Sequence, residues 1–167
     1  MVAIATARTA YCVIVKDILK KLQKDFPDIA FVSGEKFYWS PKDQTVYYDQ
    51  SKKDDAAVWA LIHELCHGVL GHKTYKTDFE LLRLEVGAWD KAKEVATNYK
   101  IVINEDHIQD CLDTYRDWLH ARSKCPSCGE HGLQDNKGKY ECINCHATWN
   151  VSSERFCRPY RKQVKNK

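Results

Sequence analysis

The sequence predicts an α+β protein: helices packed on a small antiparallel sheet, followed by a small β module held by metal. Three observations predict it. Apolar residues recur at helical spacing in four stretches between Thr9 and His120. Between the first and second of these, short β-branched and aromatic runs flank a turn sequence. From Cys125 onward, two CxxC pairs stand 13 residues apart, the spacing of a four-cysteine metal site. A chain of 167 residues suffices for one modest domain and a small module. The expected division is residues 1–121, residues 122–153 and a basic tail, 154–167.

Composition narrows the class. Hydrophobic residues make up 44%, enough for a real core, yet no run of about 18 apolar residues exists to span a membrane. Met1 to Ala10 lacks a basic leading region and carries Arg8 within its apolar part, which does not read as a signal peptide. Of eight cysteines, four form the CxxC pairs and four (Cys12, Cys66, Cys111, Cys157) are scattered. That distribution suits metal binding in a reducing, cytoplasmic setting better than a disulfide framework. The net charge of +3 hides an asymmetry, −3 over residues 1–121 and +6 over residues 122–167. A zinc ion on four thiolates lowers the latter to about +4.

The first helix is expected from about Thr9 to Phe26, with Tyr11, Ile14, Val15, Ile18, Leu22 and Phe26 on one face and Pro27 ending it. Ile29 to Val32 reads as a strand. Phe37-Tyr38-Trp39 and Thr45 to Tyr48 read as a hairpin around Ser40-Pro41-Lys42-Asp43-Gln44. These aromatics either cover the core or form a sheet edge that takes an extended peptide by strand addition.

The second helix, about Asp55 to Leu70, carries His63-Glu64-Leu65-Cys66-His67. Residues four apart share a helix face, so His63 and His67 reach one metal ion, and Glu64 is placed to hold and deprotonate a water. Asp54 or Asp55 caps its start, and Gly68 and Gly71 offer its end. The bland alternative is two histidines on an ordinary helix.

A third helix spans about Phe79 to Tyr99. Leu81, Leu82, Glu85, Trp89, Ala92 and Ala96 recur at three- and four-residue steps, which makes Glu85 the one acid on an apolar face. A buried carboxylate needs a cationic partner, and a metal ion supplies one. Glu85 is therefore the expected third ligand, completing a His₂Glu site with one open position. Its alternative role is a salt bridge to a nearby Arg or Lys. Glu80 is the rival ligand, although its place near the helix start suits capping. His72 also competes, but a metzincin pattern would need Gly at position 70 and His at 73, where this chain has Leu70 and Lys73. His72 more naturally orients Glu64 or the loop, or lies in the cleft wall. Donors for a developing oxyanion are sought among His72, Tyr75, Tyr99 and His107.

Asn104 caps a last helix, about Glu105 to His120, whose inward face is Ile108, Cys111, Leu112, Tyr115, Trp118 and Leu119. Cys125, Cys128, Cys142 and Cys145 then form the expected tetrahedral, closed, structural zinc site, with a hairpin through Gly132, Asn136, Lys137 and Gly138. So small a module should need its metal to fold. Beyond it, Arg155, Arg158, Arg161 and Lys162, interleaved with Phe156 and Tyr160, are candidates for nucleic-acid contact or simply a solvated end.

The run HELCHGVLGH, with Glu85-Val86-Gly87-Ala88 and then Trp89 and Ala92, resembles the ImmA/IrrE-like branch of the gluzincin metallopeptidases over about residues 50–100. The resemblance implies a compact zincin fold with an N-terminal helix, a small sheet, an active-site helix and a glutamate helix. It implies His63, His67 and Glu85 as ligands of a catalytic zinc and Glu64 as general base. It also implies a protein substrate such as a DNA-bound regulator. A helix of HELCH type followed by a zinc ribbon is also similar to SprT-like metallopeptidases, whose third ligand is a downstream histidine; His72 is near and His107 distant. Two zinc ions per chain are expected, one catalytic and one structural. The expected activity is peptide-bond hydrolysis by a zinc endopeptidase, and the competing expectation is a non-catalytic scaffold that binds DNA or protein through the ribbon.

Overall fold

The computed structural model describes residues 7–152 and 161–164; of these, the side chains of residues 7–15 and of Gln163 fall outside the description. The elements in order are α1 (Ala7–Asp25), β1 (Ala30–Gly34), β2 (Tyr38–Ser40), β3 (Thr45–Asp49), α2 (Asp55–Val69), α3 (Asp78–Asn98), α4 (Glu105–Ser123), β4 (Gly132–Gln134), β5 (Tyr140–Cys142), β6 (Thr148–Val151) and β7 (Arg161–Val164). The fold is α+β, with four helices, a small three-stranded sheet and a four-stranded antiparallel sheet. Among the described residues no helix is long and apolar enough to cross a membrane.

By packing, the chain forms two units that interleave in sequence. One comprises the described residues up to Lys73 together with Gly87–His107; the other comprises Thr74–Val86 together with the described residues from Ile108 on. In the first unit α1 buries Ile18 and Leu22, as its periodicity requires. Tyr11, Ile14 and Val15, placed on the same face by sequence, lie outside the described side chains. α2 is the core helix. Ala57, Val58, Leu61, Ile62, Leu65 and Cys66 are all buried along it, and Asp54 caps it by accepting the Ala57 amide at 2.9 Å. The C-terminal turns of α3 add Ala88, Trp89, Ala92, Val95 and Ala96.

The small sheet is mixed, where the sequence pattern suggested an antiparallel one. Its order is β1-β3-β2, with β3 central; β2 pairs antiparallel with β3 through the hairpin, while β1 pairs parallel with it, Ala30 opposite Thr45. Residues between β1 and β2 carry the chain from one edge to the other, so β3 returns between them alongside β1. Alternation reports which face of a strand is buried, not which neighbour it takes. β3 accordingly has the most buried residues, Thr45 and Val46.

In the second unit, Ile108, Leu112 and Trp118 of α4 are buried; Cys111, Tyr115 and Leu119 are half-buried. The antiparallel sheet runs β4-β5-β6-β7, so Arg161–Val164 is a strand paired along β6, Asn150 opposite Lys162. Trp149 is wholly buried, stacks on Tyr140 at 5.4 Å and donates from its indole to the Arg122 carbonyl at 3.0 Å.

A buried ion pair joins three elements of this unit. The Arg122 guanidinium meets both carboxylate oxygens of Asp78 at 2.5 and 3.3 Å. Tyr140 donates its hydroxyl to the same carboxylate at 2.6 Å. Arg122 also donates to the Ser152 carbonyl and lies over the Trp118 ring at 4.2 Å. Asp78 opens α3, and its own amide donates to the Gln134 side chain at 2.7 Å. Burial first, then the bond to Asp78, raise the Tyr140 phenol above its ordinary range. Removing one partner of such a pair leaves the other charge buried alone. Arg122→Met is therefore expected to cost about 3–5 kcal/mol in denaturant unfolding. Asp78→Leu added to it should recover part of that loss, and a double variant no better than the single one would contradict a paired role.

Candidate metal centres

α2 presents His63 and His67 one turn apart on one face, and their Nε2 atoms converge to 3.1 Å. α3 brings Glu85 to them. One ligand atom from each of His63, His67 and Glu85 lies within 4.8 Å of the others, a group able to hold a metal ion. All three side chains are buried, 6%, 9% and 7% exposed. The face argument thus locates the acid that joins the histidines. Trp89, one turn beyond Glu85, stacks on the His63 ring at 4.1 Å between ring centres.

The rival ligands are placed elsewhere. Glu80 accepts the Lys76 amide at 2.7 Å, while its own amide donates to the Thr77 hydroxyl at 3.1 Å, so it serves the start of the helix. His72 meets His67 through Nδ1, at 2.9 Å from the Nδ1 of His67, on the side of that ring away from His63.

Glu64 is half-buried next to the histidines, and its Oε2 accepts the backbone amide of Trp39 at 2.8 Å. Trp39 lies on β2, an edge strand. Its indole N–H donates to the His72 carbonyl at 2.9 Å. Sequence reasoning did not single out Trp39. Its only signal was an aromatic run, which serves equally to cover a core.

The end of α2 explains how His72 comes back to His67. Gly71 has φ +67°, the left-handed conformation glycine adopts at little cost. Its amide bonds the Gly68 carbonyl at 3.0 Å, and the His72 amide bonds the His67 carbonyl at 2.9 Å. These two bonds are a Schellman motif, which sets the residue after the glycine against the residue five before it. Gly68 serves a second purpose. A Cβ there would stand 2.8 Å from Ile29 Cδ1 and 2.9 Å from Trp39 Cζ3. Gly68→Ala is expected to cost about 1–3 kcal/mol by overpacking and to push Trp39 off α2. Thermal unfolding checks the first, and Trp fluorescence or crystallography the second; unchanged values would mean the indole has room to move.

The other candidates divide. Tyr75 is 47% exposed in the loop before α3. Tyr99 donates its hydroxyl to Asp25 at 2.7 Å, and burial followed by that bond raises its phenol. His107 packs against Trp59 and Trp89 at 5.0 and 5.8 Å between ring centres.

The second group is Cys125, Cys128, Cys142 and Cys145, brought together by the turns before β4 and after β5. Sγ atoms of Cys125 and Cys145 are 3.7 Å apart, and those of Cys128 and Cys142 are 3.5 Å apart. Backbone amides point at the sulfurs, from Ser127 to Cys125 at 3.3 Å and from Asn144 to Cys142 at 3.4 Å. Burial alone would raise the Cys125 thiol, but amides of Cys128 and Ser127 and the neighbouring thiols outweigh it and lower it to about 6. The Glu130 amide first, and the neighbouring thiols, hold Cys128 low as well. Cys66, by contrast, is pushed up to about 12 by burial, which makes it an inert core thiol.

Of the basic candidates, Arg161 donates to the Lys124 carbonyl at 2.9 Å and the Ala121 carbonyl at 3.4 Å, at the end of α4. Lys162 is exposed. Arg155 and Arg158 lie outside the described residues. Compared with family models, with curated proteins and with solved structures, the chain matches none of them.

Proposed function

We propose that this protein is a zinc-dependent endopeptidase of gluzincin type, with a structural zinc in the ribbon. The observation that carries the reading is the convergence of His63, His67 and Glu85 beside Glu64. Two imidazole nitrogens bound to one zinc at tetrahedral angles stand about 3.3 Å apart; here they are 3.1 Å apart. Two thiolates on one zinc stand about 3.8 Å apart, close to the 3.7 and 3.5 Å across the cysteine cluster. The resemblance of HELCHGVLGH and Glu85-Val86-Gly87-Ala88 to ImmA/IrrE-like gluzincins points the same way.

A zinc ion held by His63, His67 and Glu85 supplies a Lewis acid for a carbonyl and an acidified water. The chain's own residues do the rest. Glu64 takes the proton of the attacking water and passes it to the leaving amine. The Trp39 amide holds the Glu64 carboxylate in place by its 2.8 Å hydrogen bond. Trp89 keeps water off the back of His63. The substrate is a protein or peptide, such as a DNA-bound regulator, with the ribbon and Lys162 available for contact with nucleic acid.

Metal analysis of the purified chain and a cleavage assay on disordered peptides test this together. Two zinc equivalents, with cleavage stopped by a chelator and restored by zinc, are expected. One equivalent confined to the cysteines would remove the catalytic reading and favour a binding scaffold.

A further inference from the structure

We infer that Trp39 and His72 form a positioning relay that fixes His67 in its metal-binding tautomer. This rests on the proposed metal site. His67 faces His63 with Nε2, and its Nδ1 meets Nδ1 of His72 at 2.9 Å. A histidine that ligates through Nε2 must carry its proton on Nδ1. The Nδ1–H of His67 therefore donates, and His72 accepts through an unprotonated Nδ1, keeping its own proton on Nε2. Ligand histidines are held in this way by a partner on the far ring nitrogen, which sets both tautomer and ring plane. Here the partner is another imidazole, supplied by the same stretch of chain.

Three features hold His72 in that role. The Schellman bonds at Gly68 and Gly71 bring its backbone to 2.9 Å from the His67 carbonyl. The Trp39 indole N–H, donated to the His72 carbonyl at 2.9 Å, anchors the loop to β2. The close approach of the Trp39 ring to Gly68 sets where that anchor sits. Trp39 also donates its amide to Glu64, so one residue of the edge strand is bonded to the base and to the ligand's partner. A shift of β2 would move both together.

The test uses the full chain with zinc kept in the ribbon and cobalt offered to the second site, read by its visible d–d absorption under chelator competition. His72→Asn retains an oxygen where Nδ1 stands and can accept from His67; His72→Phe keeps ring bulk and cannot. His72→Phe should weaken cobalt binding about 10–100-fold and alter the band shape, and His72→Asn should restore most of both. Trp39→Phe, which keeps the backbone amide to Glu64 but removes the indole donor and part of the ring packed on Gly68, should weaken binding less and in the same direction. Equal affinities in wild type and His72→Phe would overturn the relay. So would His72→Asn as weak as His72→Phe, since that marks a packing role. A wild-type chain that takes up no cobalt beyond the ribbon would overturn the metal site itself, before any variant is compared.

Discussion

Cys142→Ser should unfold the ribbon sheet. The core of that sheet is Cys125, Tyr140, Cys142 and Trp149, with Ala147 and Val151 packed at its edge. Two of its four buried members are themselves metal ligands in the proposed site. Strands of three or four residues and so small an apolar cluster cannot offset the entropy of ordering some thirty residues at about 1–2 kcal/mol each. A structural zinc contributes about 10–16 kcal/mol of apparent binding energy in comparable small modules, far more than any single contact here. Serine removes one thiolate and leaves the site open. The expected result is loss of the near-ultraviolet signal of stacked Tyr140 and Trp149, rapid proteolysis between Lys124 and Val151, and release of the ribbon metal. Tyr140 would then leave Asp78, so Arg122 would lose part of its setting. A ribbon that keeps its protease resistance in the variant, or in wild type held in excess chelator, would show that metal is not what holds it.

Glu64→Gln should cut hydrolysis by orders of magnitude while leaving both metals bound. Glutamine has the same shape and keeps an oxygen to accept the Trp39 amide, so the local structure should stand. What it lacks is a site for the proton of the attacking water. Loss of a general base typically costs about 10²–10⁴ in rate. The loss should fall on kcat with little change in KM, because the interaction matters in the transition state. Unchanged zinc content and unchanged thermal unfolding separate this from a folding defect. Full activity in the variant would place the base elsewhere; unchanged cellular function in a variant proven inactive would favour the scaffold reading.

Much of the protein was legible from the chain alone, for local reasons. Helical periodicity located α2, α3 and α4, because a 3.6-residue period with one apolar face is a property of a few consecutive turns. The spacing of His63 and His67 determined that they share a face, since four residues on a helix leave little choice. Glu85 was identified by the cost of placing an acid among Leu82, Trp89 and Ala92, and the cysteine spacing by itself defined the second cluster. The tertiary structure decided what depends on residues far apart. Asp78 has the sequence signature of an ordinary acidic helix start; only its burial against Arg122 and Tyr140, 44 and 62 residues away, makes it the hub of a unit. β1 reads only as a short apolar run, and its parallel pairing with β3 follows from where the hairpin falls. Trp39 is one aromatic among several until β2 sets its amide on Glu64, 25 residues on, and its indole on the His72 carbonyl, 33 residues on. Local patterns specify what each segment is, because propensity and spacing act over a turn or two. Which distant partners meet is set by the packing of whole elements, and no short pattern carries that information.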